Sequence, residues 1–316
     1  MSEIKLAMLG MVDGNGHPYS WSAIINGGFN SEEMKKCPYP VIYEYLSKEP
    51  RENLGISGAM VTHIWCDNPE DAVRVAKAAF IPNIVSRPED VLGEVDAVII
   101  PTDRGNEHVE RAKIFVEAGL PVFIDKPLAD NERDLKQFVR WVDEGKMVLS
   151  SSCMRYAKEF EEYRNSEKLR QLVGRVDYVT ITTPKSWERY GIHALEAVYP
   201  IVKPGFYSVR NSGSYERNIV HIKHHSGADI VIAAINEMHG AFGNLFIGGT
   251  EGRVYKDFED TFYAFKAQLE SFIRYLRTGK PPFPFEETVE MMKIIIAGIK
   301  SRENGGREVI LNDILL

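Results

Sequence analysis

The fold is decided by residues 4–26, which read IKLAMLGMVDGNGHPYSWSAIIN. Its first six residues, Ile4–Leu9, form a short apolar run that is typical of a buried strand. A glycine-rich turn follows, and then Trp21, Ile24 and Ile25 recur at the spacing of a helix face. A strand, a glycine turn and a helix in this order are typical of a unit that binds a phosphate or a dinucleotide. The same pattern also fits a glycine-rich turn without a ligand.

Strands and helices continue to alternate through the first half of the chain. The predicted strands are Met60–Cys66, Asn83–Val85, Ala97–Ile100, Pro121–Ile124 and Met147–Leu149. The predicted helices are Pro18–Asn26, Pro69–Ala79, Asn106–Ala118 and Asn131–Asp143. This alternation predicts right-handed βαβ units and an α/β, doubly wound parallel Rossmann sheet, with its ligand at the carboxyl ends of the strands.

The second half has a different pattern, with strands first and helices last. The predicted strands are Arg175–Thr183, Arg217–His225, Asp229–Ile235 and Asn244–Ile247, and the predicted helices are Thr261–Leu276 and Thr288–Ile299. This order predicts an α+β domain built on an open, largely antiparallel sheet. We therefore expect an NAD(P)-binding domain over residues 1–150 and a substrate-binding and oligomerisation domain over residues 151–316.

The composition narrows the class of protein. The chain has 316 residues, 44% of them hydrophobic and 26% charged, with a formal net charge of −7. It contains no basic tract, which argues against nucleic acid as a partner, and no apolar run of about 20 residues, which argues against a membrane span. The first residues do not resemble a signal peptide, so we expect a cytoplasmic protein. The three cysteines lack metal-type spacing, and a strand with His221, His224 and His225 is more typical of a solvated sheet than of a zinc site, so no metal is expected.

Candidate ligand residues follow the predicted strands. Asp67 stands where a carboxylate can accept both ribose hydroxyls of NAD, although it could also cap the next helix. It lies 57 positions after Gly10, whereas this carboxylate usually lies about 20 residues past the turn, which predicts an insertion over about 29–54. No arginine immediately follows Asp67, which favours NAD over NADP. Lys126 follows the fifth predicted strand. Beside a cationic nicotinamide the pKa of this lysine would fall, which would suit it to proton transfer. The alternative is that Lys126 is an ordinary surface lysine.

Several of these segments together resemble the glucose–fructose oxidoreductase and inositol dehydrogenase family, usually called Gfo/Idh/MocA. Asp125–Ala129 reads DKPLA and is similar to the family's EKPLA motif. Thr102 to His108 is similar to its TP…H segment, with Asp103 where proline is usual. Cys66–Glu70 resembles its CDxxPE stretch, and Gly249–Gly252 resembles its GTEG turn. The chain is identified as a divergent member of this family.

The resemblance implies roles for individual residues. Lys126 would lie near the nicotinamide and the substrate hydroxyl, and Asp67 would bind the adenosine ribose. The other residues implied at the cofactor are Gly10, Gly14 and Gly16 at the pyrophosphate, with His17, Thr102 and His108 beside them. Residues 189–193 are similar to the family's D-x-G-x-H stretch: His193 matches and joins Lys126 as a catalytic residue, but Arg189 occupies the aspartate position. That substitution puts the family's Asp–His–Lys arrangement in doubt.

Further residues are candidates for contact with the substrate. Lys185, Trp187, Arg189 and Tyr190 could form a cationic and aromatic wall suited to a carboxylate or a polyol. The alternative is that Trp187 and Tyr190 pack against the sheet edge. Arg155, just past the sixth strand, could touch the substrate or only join the two domains.

The function predicted from these features is NAD-dependent oxidation of a secondary alcohol on a sugar, inositol or related polyol. Two alternatives remain: a lyase or glycosidase that uses bound NAD transiently, and a non-catalytic sensor that only binds NAD. An open sheet in the second domain needs cover, so we expect a homo-oligomer, either a dimer or a tetramer.

Overall fold

The first half of the chain folds as the predicted Rossmann unit. The computed structural model describes residues 3–315. Six strands, all paired in parallel, lie in the order β3-β2-β1-β4-β5-β6. Their bounds are β1 Ile4–Leu9, β2 Ala59–Trp65, β3 Asn83–Ile84, β4 Ala97–Ile100, β5 Val122–Ile124 and β6 Val148–Ser150. Strand order reverses at β1, so the ends of β1, β4 and β5 converge on the crevice where such a sheet binds its ligand.

Helices connect these strands as the sequence predicted. They are α1 His17–Asn26, α4 Pro69–Ala79, α5 His108–Glu117 and α6 Glu132–Asp143, with two further helices inserted after α1. Asn68 caps α4 by accepting a hydrogen bond from the backbone N–H of Glu70 at 3.1 Å. Asp67 is therefore not the capping residue of this helix, and the alternative explanation of its presence is wrong.

The segment predicted as an insertion folds against the Rossmann core. It contains α2 Ser31–Met34, α3 Pro40–Lys48 and a 3-10 helix over Arg51–Asn53. Buried Met34, Ile42 and Leu46 attach it, and α3 packs against both α1 and a helix from the second half of the chain. The apolar face of the insertion is thus part of the core, and the start of α3 lies beside the glycine-rich turn.

The second half contains a seven-stranded sheet in the order β12-β11-β7-β10-β9-β8-β13. Only β7 and β10 pair in parallel, and the other neighbours are antiparallel. The bounds are β7 Val176–Pro184, β8 Phe206–Asn211, β9 Arg217–His224, β10 Asp229–Ile235, β11 Leu245–Gly249, β12 Arg253–Lys256 and β13 Val309–Ile310. The predicted open and largely antiparallel sheet is therefore confirmed, and β8, β12 and β13 are added to it.

Two long helices cover one face of this sheet. The helices of this half are α7 Ser166–Val173, α8 Trp187–Val202, α9 Thr261–Thr278 and α10 Phe285–Glu303. α8 packs on β7 and β10, and α10 packs on β8 and on α8. Most of α8 is buried on every side, so it lacks the polar stripe that would have revealed it in the sequence. α9 packs back against α1, which brings the two halves together around the crevice.

Short 3-10 helices complete the chain at Pro88–Val91, Gly105–Glu107, Cys153–Tyr156, Lys158–Arg164 and Leu311–Asp313. Within residues 3–315, no helix is both long enough and apolar enough to cross a membrane.

His221 pairs with Asp229 at 2.7 Å, and His224 bonds to Ser226 at 2.8 Å. No group of three or more histidine, cysteine, aspartate or glutamate side chains in this part of the chain is arranged to hold a metal ion.

Candidate active site

A cavity of about 590 Å³ opens where the carboxyl ends of the Rossmann strands face the second sheet. The glycine turn contributes residues 14–17, and the insertion contributes Tyr39, Val41, Ile42 and Tyr45. The second half contributes Lys185, Tyr190, His193 and Phe242, with Phe265 from α9. Polar groups are thus concentrated at the strand ends, with aromatic side chains around them, as in many small-molecule sites.

Lys126 lies at the bottom of this cavity, immediately after β5. Its side chain is 2% exposed, so it is not a surface lysine. Its Nζ lies 3.6 Å from Asp103 Oδ2 and 3.7 Å from Asp125 Oδ2, and 5.0 Å from the centre of the Tyr190 ring. Burial alone would lower the pKa of Lys126, but the carboxylates of Asp125 and Asp103 raise it above its ordinary value. The side chain is therefore an ammonium, and the fall in its pKa expected beside a nicotinamide stays a prediction.

Asp103 is held by an arginine from the opposite half of the chain. Arg189 in α8 donates two hydrogen bonds from Nη2 to the carboxylate at 2.7 and 2.8 Å, and one from Nε at 3.2 Å. Burial raises the pKa of Asp103, but Lys126 and Arg189 together lower it to about 2. The two departures from the family pattern therefore contact each other, and their pairing connects the two halves above Lys126.

His17 also contacts the strand ends, beside the same lysine. Its Nδ1 lies 2.9 Å from Asp125 Oδ2, and Asn15 Nδ2 donates to the same oxygen at 3.1 Å. The imidazole stacks on Trp21 with ring centres 4.4 Å apart, which fixes its plane. The sequence pointed to His17 only as a neighbour of the cofactor, because Asp125 is 108 positions away in the chain.

His193 faces the cavity from α8. Its Nδ1 lies 2.6 Å from Ser152 Oγ, and its ring packs edge-on against Tyr190 and Phe242. Burial, followed by the positive charges at Lys126 and nearby groups, holds the pKa of His193 well below 6.5. The imidazole is therefore neutral over the physiological range.

The predicted cationic and aromatic wall is only partly present. Lys185 and Tyr190 line the cavity, and Lys185 Nζ donates to the Tyr190 hydroxyl at 2.7 Å. Trp187 is fully buried and donates from Nε1 to the Ile295 carbonyl at 2.9 Å, so it packs α8 against α10. Arg155 is also buried outside the cavity lining, pairing with Glu196 of α8 and, at 2.7 Å, with Glu287 of α10, so its ion pairs lie within the second half and do not join the two domains.

The glycine-rich turn after β1 packs closely against the loop after β4 and against Arg111 of α5. Gly10 has a φ of +107°, and a Cβ there would lie 3.0 Å from Thr102 Cγ2 and 3.2 Å from Arg111 Nη1. Arg111 donates to Asp67 at 2.8 Å, and the backbone N–H of Met11 donates to the same carboxylate at 3.2 Å. The sequence suggested no basic partner for Asp67, because Arg111 follows 44 positions later.

Thr102 and His108 lie next to the turn but do not line the cavity. Both are fully buried, and the ring nitrogens of His108 lie 2.8 Å from the Thr102 carbonyl oxygen and 3.2 Å from that of Leu128. His108 thus fixes the two loops that follow β4 and β5. The buried Thr102 Oγ1 has no hydrogen-bond partner among residues 3–315, but because Thr102 is fully buried outside the cavity lining, a ligand in the cavity does not reach this hydroxyl in the present arrangement. Gly14 and Gly16 lie on the cavity surface, but the Gly14 N–H donates to the Tyr39 hydroxyl at 3.0 Å and the Tyr39 ring packs directly on Gly16, so a pyrophosphate at this turn would have to displace Tyr39.

The comparisons with known proteins agree with this architecture. Residues 45–153 match the family model of the Gfo/Idh/MocA oxidoreductases, which describes an NAD-binding Rossmann fold, so the predicted resemblance is confirmed. No curated protein matches the chain by sequence.

Solved structures are similar over nearly the whole length. Scyllo-inositol dehydrogenase from Lactobacillus casei, solved with NAD(H) and scyllo-inositol, has a TM-score of 0.76 at 12% identity, covering 98% of this chain and 100% of that one. Myo-inositol 2-dehydrogenase from Lactobacillus plantarum has a TM-score of 0.75 at 14% identity, and a myo-inositol dehydrogenase from Corynebacterium glutamicum has 0.71 at 18%. Each of these two covers 98% of this chain and 99% of its own. At such identities the likeness shows the fold.

Proposed function

We propose that this chain, which matches the family model of the Gfo/Idh/MocA oxidoreductases over residues 45–153, is an NAD-dependent dehydrogenase. Its substrate would be a secondary alcohol of a sugar, an inositol or a related polyol, and the reaction would be reversible. The observation that supports this most strongly is the buried ammonium of Lys126 at the carboxyl end of β5, between two carboxylates and across the cavity from His193. A charged lysine buried in a polar cavity is rare without a function.

The turn after β1 would hold the cofactor. Gly14 and Gly16 would approach the pyrophosphate, and Asp67 would accept the ribose hydroxyls, while Thr102 and His108 would support the turn from the protein interior. When bound, the nicotinamide supplies the hydride acceptor for alcohol oxidation. A carboxylate at Asp67 disfavours the 2′-phosphate of NADP, but Arg111 partly neutralises it, so the preference for NAD is expected to be moderate.

The histidine at position 193 would orient the substrate oxygen. Ser152 Oγ already accepts a hydrogen bond from the Met154 N–H at 3.1 Å, so its own hydrogen is free to donate to His193 Nδ1. We infer that the proton of the neutral imidazole then resides on Nε2. In that tautomer His193 donates a hydrogen bond, which suits it to hold an alcohol or ketone oxygen and not to remove a proton.

The proton acceptor would be His17. The Asp125 carboxylate can only accept a hydrogen bond, so Nδ1 of His17 carries a hydrogen, and in the neutral form of the imidazole the lone pair is then on Nε2. No hydrogen-bond partner for that Nε2 is found in the described part of the chain, and the ring lines the cavity. Lys126 would stabilise the developing alkoxide as an ammonium, while the Asp125–His17 pair beside it takes up the proton.

A calorimetric titration with NADH and NADPH tests this function. Micromolar binding of NADH, weakened or inverted in preference by Asp67→Ala, is expected. Incubation with NAD⁺ and a panel of polyols should then produce NADH. A product formed from a substrate without net NADH would point to the lyase alternative, and NADH binding without turnover on the panel would point to the sensor. Failure to bind either dinucleotide, in protein free of retained cofactor, would refute the proposal.

The second sheet supports the further proposal of a homo-oligomer. Tyr178 of β7, Ile219 of β9 and Tyr255 of β12 lie on the face opposite α8 and are 39%, 40% and 63% exposed. An open sheet face with exposed apolar side chains commonly packs against another subunit. Light scattering at micromolar protein should give a dimer or a tetramer, and a monomeric mass would contradict it.

A further inference from the structure

The cavity wall contains a lysine whose charge is not matched by any carboxylate. Lys185 lies between the end of β7 and the start of α8, and its backbone has a φ of +63°, which side chains other than glycine rarely adopt. This conformation directs the chain into α8 while the half-buried side chain borders the cavity. Its ammonium donates to the Tyr190 hydroxyl at 2.7 Å and to the Gly14 carbonyl oxygen at 3.3 Å.

The other cations around the cavity are paired with carboxylates, whereas the Lys185 ammonium is not. Arg189 is bound to Asp103, and Lys126 lies between Asp103 and Asp125. No carboxylate oxygen of residues 3–315 lies within 4.0 Å of Lys185 Nζ. The charged lysine and aspartate side chains that line the cavity are Lys126, Lys185 and Asp103. Behind them Arg189 and Asp125 carry opposite charges, and Asp13, which also acts on Arg189, is exposed outside the lining, so the lining itself has one excess positive charge. After burial, the charges of Lys126 and Lys185 contribute to the low pKa of His193.

We propose that the substrate is a sugar acid or a related polyhydroxy acid, whose carboxylate binds Lys185 while a secondary hydroxyl lies at Lys126. This inference rests on the proposed function and specifies its substrate class. One excess positive charge matches a monoanionic carboxylate, whereas a dianionic phosphate would remain partly unpaired. The Tyr190 hydroxyl, already bonded to the ammonium, can donate its own hydrogen to the same carboxylate.

The spacing of the two lysines fits a single six-carbon substrate. Both ammonium groups lie over the Tyr190 ring, at 4.3 Å for Lys185 and 5.0 Å for Lys126 from its centre. They can therefore be no farther apart than the sum of these distances, about 9 Å. A hexuronate has its carboxylate and its ring hydroxyls within such a span. One molecule can thus contact both ammonium groups while its ring packs against Tyr190.

Binding measured on the holoenzyme tests the inference. Protein saturated with NADH is titrated with D-glucuronate and D-galacturonate, and with the matched neutral sugars D-glucose and D-galactose. Because a charge-assisted hydrogen bond in a partly buried site strengthens binding by about tenfold or more, the acids should bind at least tenfold more tightly. In Lys185→Gln this advantage should fall to about twofold, with an unchanged circular dichroism spectrum and urea unfolding midpoint as evidence that the variant is folded.

Lys203→Gln is the matched control. Lys203 also has a left-handed backbone, with a φ of +71°, but it follows the opposite end of α8 and lies outside the cavity, so its variant should keep the full preference. Equal affinity for acids and neutral sugars in the wild type, or a preference that survives in Lys185→Gln, would overturn the inference and leave the dehydrogenase proposal intact. Tighter binding of glucose 6-phosphate than of either uronate would also overturn it. Loss of NADH binding itself would count against the proposed function instead.

Discussion

The substitution Asp103→Asn tests the ion pair that joins the two halves of the chain. The Asp103 carboxylate is completely buried, accepts three hydrogen bonds from Arg189 and lies 3.6 Å from Lys126 Nζ. Its pKa is lowered from 3.8 to about 2, because the two cations outweigh the effect of burial. Such a depression corresponds to stability on the order of 2 kcal/mol at neutral pH. Asparagine keeps the shape but leaves both cations without their counter-ion, so we expect a loss of about 2–4 kcal/mol.

The pH dependence of that loss gives the sharper test. A carboxylate with a lowered pKa stabilises the folded state above the unfolded value of 3.8, and the stabilisation disappears as the pH falls through the folded value of about 2. Urea unfolding followed by circular dichroism should therefore separate wild type from Asp103→Asn at pH 7 and bring them together near pH 2. Asp229→Asn, which removes an exposed partner of His221, should cost less than about 0.5 kcal/mol. A loss at Asp103→Asn no larger than this control would refute the reasoning.

Three further substitutions examine the cofactor and proton roles. Lys126→Met should reduce turnover by about 10²- to 10⁴-fold with NADH affinity unchanged within about threefold, and activity near wild type would contradict its role. His17→Gln should lower kcat about 10- to 100-fold near pH 7 without a matching rise in KM. The difference in kcat between wild type and variant should become smaller as the pH is raised. A change confined to NADH affinity would instead mean that His17 only binds the cofactor. Arg111→Gln should raise the ratio of NADH to NADPH affinity by about tenfold, because it leaves the Asp67 charge uncompensated, and an unchanged ratio in paired titrations would exclude this effect.

Local sequence patterns were sufficient to predict most of the fold. Ala97–Ile100 and Asp229–Ile235 have the predicted bounds, because each is a compact apolar or alternating run with clear breakers around it. The helix α8 was not predicted, because its sequence lacks such a regular pattern and such clear breakers. It contains Gly191 and Pro200, and its buried residues surround the axis, so neither propensity nor periodicity distinguishes it from a loop.

The candidate site was predicted as a set of residues but not as a set of contacts. Lys126, His193, Lys185 and Tyr190 were named from motif and strand-end position, and all four line one cavity. The charge state of Lys126 could not be predicted, because it depends on a carboxylate from a different loop. Contacts between residues far apart in the chain, such as His17 with Asp125, arise only when the ends of parallel strands converge.

Arg189 seemed to remove the carboxylate that the family places near its catalytic lysine and histidine. In the folded chain that carboxylate comes instead from Asp103, on the opposite side of the cavity, and Arg189 is the group that holds it there. The two departures therefore form one ion pair, and an aspartate, a lysine and a histidine still surround the cavity.

This coupling makes a counter-intuitive prediction about Arg189→Asp, which restores the residue expected from the family motif. The new carboxylate would face Asp103 at the distance now occupied by a bidentate ion pair, so repulsion would replace attraction. Arg189→Asp should therefore destabilise the protein more than Arg189→Gln at pH 7, by about 1 kcal/mol or more, with the difference disappearing when both carboxylates are protonated near pH 2. Urea unfolding of the two variants in parallel measures this directly. Equal stabilities at pH 7 would mean that residue 189 does not act through Asp103, and the two departures would then be independent changes.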